Sequence, residues 1–238
     1  MNQEMTRPTV ERRSFLSRVA AGAAALVGLA AGAPRAEAQS ASPAALPPPV
    51  PALRHAVDDW FDRPAAKHRF FMDTTTVASL GAAIFYSNNF YTASRNAYQL
   101  ADSDSALIIG VRHQSTPFAF TDAMWAKYGK ALADHAAFTD PKTNQTPAVN
   151  VLQTAGYGTL ANRGVLLNAV LERGLRLSVC SLATRAIAGA AARQTGGTVD
   201  DIFKELTSNL VANAQMVPAG IIALSRAQER GYTSTVIV

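Results

Sequence analysis

Cys180 is the only cysteine in the 238-residue chain, and it closes the apolar run LRLSVCS just ahead of SLATRAIAGA. A thiol in that position stands at the start of a helix, where free backbone N–H groups and the helix dipole favour thiolate over thiol. The chemistry predicted is that of an activated nucleophile, a thiolate that needs no second cysteine. His113 ends the run ALIIGVRH, Asp73 ends HRFFMD and Pro218 ends AQMVP. Ligands of open parallel sheets gather beyond the carboxyl ends of the strands, so Asp73, His113 and Cys180 form one candidate site. His113 reads as a proton donor or acceptor for the sulfur, or as a hydrogen-bonded loop residue. Asp73 reads as a charge modulator at the sulfur, or as the cap of the turn made by Thr74, Thr75 and Thr76. Cys180 has its own bland alternative, a small buried hydrophobe that only packs.

Those residues are useful only if strands and helices alternate around them, and the hydrophobic pattern predicts that they do. Strands are expected at 68–73, 106–113, 175–181, 214–218 and 233–238, because continuous apolar runs of this length suit parallel strands covered on both faces. Helices are expected at 79–101, 121–135 with Thr121 as N-cap, 160–174, 183–196, 199–210 and 220–231. Gly174 and Gly231 stand where helix ends need a left-handed residue, each almost directly before a strand, which suits βαβ crossovers. The aromatics Phe85, Tyr86, Phe90, Tyr91 and Tyr98 fall near helical spacing and read as packing. The polar stretch 138–158 is too long for a routine connection and reads either as a lid over a site or as a surface loop.

The N-terminal 65 residues read as something other than this domain. ERRSFLSR followed by VAAGAAALVGLAAGA has the order of a twin-arginine export signal, and Ala36-Glu37-Ala38 offers a small-x-small cleavage site, so residues 1–38 are expected to be a removable signal peptide. The apolar run falls well short of the roughly 20 strongly apolar residues of a membrane span. An uncleaved tether is the alternative. Residues 39–65 read as a Pro/Ala-rich linker ending in a short docking segment in which Trp60 and Phe61 reach the domain. Removing the signal lowers the formal charge from +5 to +3, and the remaining Lys and Arg form no stripe, so nucleic acid is not expected as a partner. Export of a folded chain predicts a periplasmic location, an oxidising compartment where a lone thiol has no internal partner to bridge.

Two cofactor readings are weak. Gly156, Gly158 and Ala161 spell G-x-G-x-x-A, but the acidic residue expected about 20 positions later is missing. The four histidines and one cysteine show no metal-ligand spacing. No cofactor and no metal are expected.

VLERGLRLSVCSLATRAIA and VPAGIIALSRAQERGYTSTVIV together resemble the DsrE/DsrF-like family, which has a strand ending in cysteine, a VPAG turn, a helix bearing AQ, and GY before the last strand. DSALIIGVRHQSTPFAFTD and MWAKYG resemble exported relatives of the same family, so the resemblance spans about residues 66–238. It implies a three-layer α/β/α domain on a five-stranded sheet, assembled as a homotrimer or hexamer. It also implies that Cys180 carries persulfide sulfur between a donor and an acceptor, either of them a protein or a small thiol. Before that, the twin-arginine translocon would be a partner for export. The contrasting expectation is a non-catalytic periplasmic oligomer that binds a small ligand at the strand ends, with Cys180 buried and inert.

Overall fold

A computed structural model describes residues 54–238. The expected signal peptide, its expected cleavage site and the Pro/Ala tract lie outside the described residues. Five strands form one parallel sheet: β1 (His68–Thr74), β2 (Ser105–Val111), β3 (Arg176–Cys180), β4 (Ala214–Val217) and β5 (Thr233–Val236), in the spatial order β4-β3-β2-β1-β5. The helices are α1 (Val77–Tyr98), α2 (Asp122–Ala136), α3 (Leu167–Glu172), α4 (Ser181–Thr195), α5 (Val199–Ser208) and α6 (Gly220–Glu229). Among the described residues no helix is long and apolar enough to cross a membrane.

Strand alternation sorts the core. Leu107, Ile109 and Val111 of β2 and Leu177 and Val179 of β3 join the large cluster shared with Leu80 and Ile84 of α1, Leu132 of α2 and Ile187 of α4. Ala106 and Ile108 of β2 point the other way, to the smaller cluster with Phe71, Ala223 and Ala227, as a two-residue period requires. Every residue of β2 is buried, which is why its sequence reads as an unbroken apolar run rather than an alternation. The domain is a three-layer α/β/α fold whose second helical layer is thin. It consists of α6 and the 3-10 turn Ala56–Phe61.

The layering follows from the order of connections. From β1 to β4 the chain steps in one direction across the sheet, and its helices stay on one face. The return from β4 to β5 runs back over β3, β2 and β1, and connections of uniform hand then put α6 on the opposite face. Gly174 (φ 103°) and Gly231 (φ 80°) end α3 and α6 in left-handed backbone, as expected.

Several expectations need correction. The helix expected over 160–174 is only Leu167–Glu172, because Arg163 (φ 50°) and Gly164 (φ 81°) are in left-handed backbone and the N–H groups of Leu160, Arg163 and Val165 close turns onto Tyr157, Leu160 and Asn162. Turns over 151–164 take the place of the short strand that a dinucleotide-binding reading of Gly156, Gly158 and Ala161 would need. Ser181 belongs to α4, so β3 ends at Cys180. Thr121 stands at the N-cap of α2, but its hydroxyl is buried and unbonded; only its carbonyl serves the helix, accepting from Met124 and Trp125. Of the α1 aromatics, Tyr91 is buried, whereas Tyr86 and Tyr98 are exposed.

The stretch after α2 lies at the surface over 141–146, as the loop reading expected, but is held in the core at Asn150. Asn150 is fully buried: its side-chain amide donates to the carbonyls of Phe118 (2.8 Å) and Phe120 (3.0 Å), and its own N–H reaches Asp122 Oδ1 at 2.7 Å. That one side chain pins the segment into the core, since a buried amide is held wherever its partners are.

The docking segment is equally well held. Phe61 is fully buried against the ring of Tyr232 (centroids 6.2 Å apart), whose hydroxyl donates to the Phe61 carbonyl at 2.7 Å. Replacing Phe61 with Ala is expected to cost about 3–5 kcal/mol, read as a lower urea midpoint at unchanged m-value. A loss under about 1 kcal/mol would mean the segment is only laid on the surface.

Candidate functional site

Register brings three side chains to one corner of the sheet. Asp73 lies opposite Gly110, and Val111 lies opposite both Thr74 and Val179. Arg112, one residue on, is therefore level with Cys180. With a two-residue period, Asp73 follows Phe71, Arg112 follows Ile108 and Gly110, and Cys180 follows Ser178 on the face that α6 covers.

Asp73 is 1% exposed and is gripped by Arg112: Nε lies 2.9 Å from Oδ1, and Nη2 lies 2.8 Å from Oδ2. This is the planar two-pronged geometry that suits a guanidinium to a carboxylate. The cap reading of Asp73 is not borne out. The turn at Thr74–Thr76 is capped instead by Thr76 and Ser79, which bond reciprocally, leaving the aspartate to hold Arg112. The hydrogen bond to Asp73 holds the Arg112 pKa above its usual value against the opposing effect of burial, with the Coulombic pull of Asp73 and, more weakly, of Cys180 adding to it.

A pocket of about 530 Å³ opens at this corner, lined in part by Arg112, His113, His135, Cys180, Leu182 and Gly220. It sits where two neighbouring strands send their helices to opposite faces: α4 leaves β3 into the thick layer, and α6 leaves β4 into the thin one. A crevice outside the carboxyl ends of the strands follows from that divergence. Cys180 is itself the N-cap residue of α4 and Ala219 that of α6, and neither helix start is capped by a side-chain hydrogen bond. Two sets of first-turn N–H groups thus border the same space. Gly220 is required there by close approach, because a Cβ on it would lie 2.7 Å from Cβ of Arg112. The arginine stem runs directly over the first turn of α6.

Cys180 is 7% exposed and is one of the residues that line the pocket. Its carbonyl accepts from Thr184 Oγ1 at 3.0 Å. His113 lines the pocket mouth but is exposed, in left-handed backbone (φ 54°) that turns the chain away from β2. His135, from the last turn of α2, places Nε2 3.1 Å from the His113 carbonyl. A carbonyl only accepts, so Nε2 carries the proton. Pro218 is exposed, just beyond β4.

The structure therefore gathers Cys180 and His113 at the pocket and puts Asp73 one step behind, acting through Arg112. Sequence reasoning missed Arg112, His135 and Gly220. The signal for Arg112 was its place next to His113 at the same strand end; nothing local marked His135, which arrives from a different helix. Among the described residues no group of three or more His, Cys, Asp or Glu side chains could hold a metal ion. The arrangement suits an anion or a polarisable sulfur brought to Cys180 from the open side.

Burial, partly offset by the hydrogen bond to His113, lowers the His135 pKa. The unfolded chain then takes up this proton at higher pH than the native chain. The associated stability is present above the unfolded value of about 6.5 and is lost as pH falls through the folded value. Urea midpoints between about pH 5 and 7 should decline in the wild type and flatten in His135→Gln; parallel curves would assign the decline elsewhere.

A second outcome concerns charge. In Asp73→Asn/Arg112→Gln, which strands no buried charge, alkylation of Cys180 by anionic iodoacetate should slow about tenfold more than alkylation by neutral iodoacetamide. Arg112→Gln alone should cost about 3–5 kcal/mol by leaving Asp73 unpaired. Equal slowing of both reagents would show that the guanidinium does not act on what enters the pocket. In comparison with protein-family models, with curated proteins and with solved structures, the chain matches none.

Proposed function

We propose that this protein is an exported sulfur carrier of the DsrE/DsrF-like kind, a sulfurtransferase-type relay working through Cys180. The observation that carries the proposal is the place of Cys180: it lines a pocket together with Arg112, next to two helix starts without side-chain caps. The resemblance of residues 66–238 to that family supports the same reading, as does the twin-arginine motif at Arg12 and Arg13 for a periplasmic location.

The chemistry is a single displacement. The Cys180 thiolate attacks the sulfane sulfur of a donor R–S–S⁻; the new S–S bond forms as the old one breaks, and R–S⁻ leaves with the electron pair. With thiosulfate as donor, the product is Cys180–S–S⁻ and the leaving group is sulfite. Donor, persulfide and leaving group are all anionic, so the first-turn N–H groups of α4 and α6 and the Arg112 guanidinium face negative charge throughout. Asp73 and Gly220 are positioning residues: one clamps the guanidinium, and the other leaves room for its stem. His113, exposed where it lines the pocket, would exchange a proton with the leaving thiolate. Release is the same displacement run on an acceptor thiolate, which keeps the carrier free of any cofactor.

The low exposure of Cys180 favours one competing reading, in which the pocket binds a small anion and the thiol only packs. Intact mass after treatment with polysulfide or thiosulfate separates the two. The expected result is the gain of one sulfur atom, removed by a reducing thiol and absent in Cys180→Ala. Unchanged mass, together with a thiol that alkylates only after unfolding, would leave the binding reading standing.

A further inference from the structure

We infer that β5 is an assembly edge, on which a second copy of this chain pairs antiparallel about Thr235 to join two five-stranded sheets into one. The inference stands apart from the sulfur chemistry.

β5 is the last strand of the sheet order, and its only strand partner among the described residues is β1. Ile237 donates its N–H to the Asp73 carbonyl at 2.9 Å. Alternation along the strand then turns the N–H and C=O of Thr233, Thr235 and Ile237 toward β1, and those of Ser234 and Val236 outward. Thr233, Thr235 and Val236 are exposed, Val236 to 54%.

Edge strands are normally blunted by charge, proline or irregular backbone. The opposite edge follows that rule: β4 is preceded by Asn213 in left-handed backbone (φ 55°) and followed at once by Pro218, which has no N–H to offer. β5 shares the first device, since Gly231 two residues before it is also left-handed (φ 80°), but no proline follows it. Residues 231–238, GYTSTVIV, contain no charge and no proline, and five of the eight are β-branched. An edge of that composition is an aggregation hazard unless something closes it.

A second copy closes it without remainder. With the two-fold axis at Thr235, Ser234 faces Val236 of the other copy, and Val236 faces its Ser234. Each pair exchanges two main-chain hydrogen bonds, so the outward groups of both residues are satisfied in both copies. Thr235 meets its counterpart in the close, non-hydrogen-bonded position, where two threonines make a favourable cross-strand pair. No like charges meet on the strand, and neither copy keeps a free β5 edge to recruit a third.

The test uses the full chain. Sedimentation equilibrium at ~100 µM should give a dimer or a multiple of one for the wild type. Thr235→Lys, which sets two ammonium groups on the axis, should shift it to half that mass with an unchanged circular dichroism spectrum. In a Cys180→Ala background, Thr235→Cys should cross-link into disulfide dimers on mild oxidation far more completely than Ser234→Cys, whose pairing partner is Val236. A monomeric wild type, an assembly untouched by Thr235→Lys, or the absence of Thr235→Cys cross-linking would each overturn the inference. The last readout stands even if the lysine variant fails to fold.

Discussion

The buried ion pair between Asp73 and Arg112 is the constraint on which the carboxyl edge of the sheet depends. The carboxylate could not be tolerated alone, since an unpaired Asp73 with 1% exposure has lost its water without replacement, whereas the Arg112 side chain keeps 19% exposure. Paired in two-pronged geometry, they tie the end of β1 to the residue just past β2 and leave the guanidinium no freedom to swing. The pair fixes where a positive charge stands relative to Cys180. It also forces glycine at position 220, because the stem of Arg112 occupies the space a side chain would need.

A second constraint is the divergence of α4 and α6 onto opposite faces. It is a consequence of strand order alone: once β5 lies beyond β1, the last crossover must return across the sheet. The crevice between the two helix starts follows, and Cys180 falls in it because β3 is the strand next to the divergence. The sulfur is thus largely buried yet bordered by N–H groups, a combination that a simple surface cysteine or a core cysteine would not have. The long stretch after α2 takes no part in this corner. It is spent on completing the larger core, with Asn150 as its fastening.

The two edges of the sheet differ in chemistry as well as in position. β4 is hemmed in by a left-handed residue and a proline, whereas β5 presents regular, uncharged, β-branched backbone. The same strand therefore serves the monomer by packing Tyr232 and Ile237 to opposite faces and leaves its outer polar groups to be satisfied elsewhere.

How much of this could be read from the chain divides by range. Element type was legible because strand and helix periods are local: the apolar runs of β1, β2 and β3 and the glycines ending α3 and α6 announce themselves within a few residues. The helix expected over 160–174 failed for the complementary reason, since the left-handed turn at Arg163 and Gly164 and the bond from Leu167 N–H to the Leu152 carbonyl are tertiary features that override local propensity. Cys180 was legible as a residue ending a strand and starting a helix. The grip of Arg112 on Asp73, 39 residues apart, and the arrival of His135 at the pocket were not, because they depend on strand register and on which layer each helix joins. By itself the sequence determined an alternating α/β domain with one thiol at a strand end, because those are matters of periodicity. Only the tertiary structure decided what surrounds that thiol, because ion pairing, helix divergence and close approach are made by segments that meet only when the sheet has assembled.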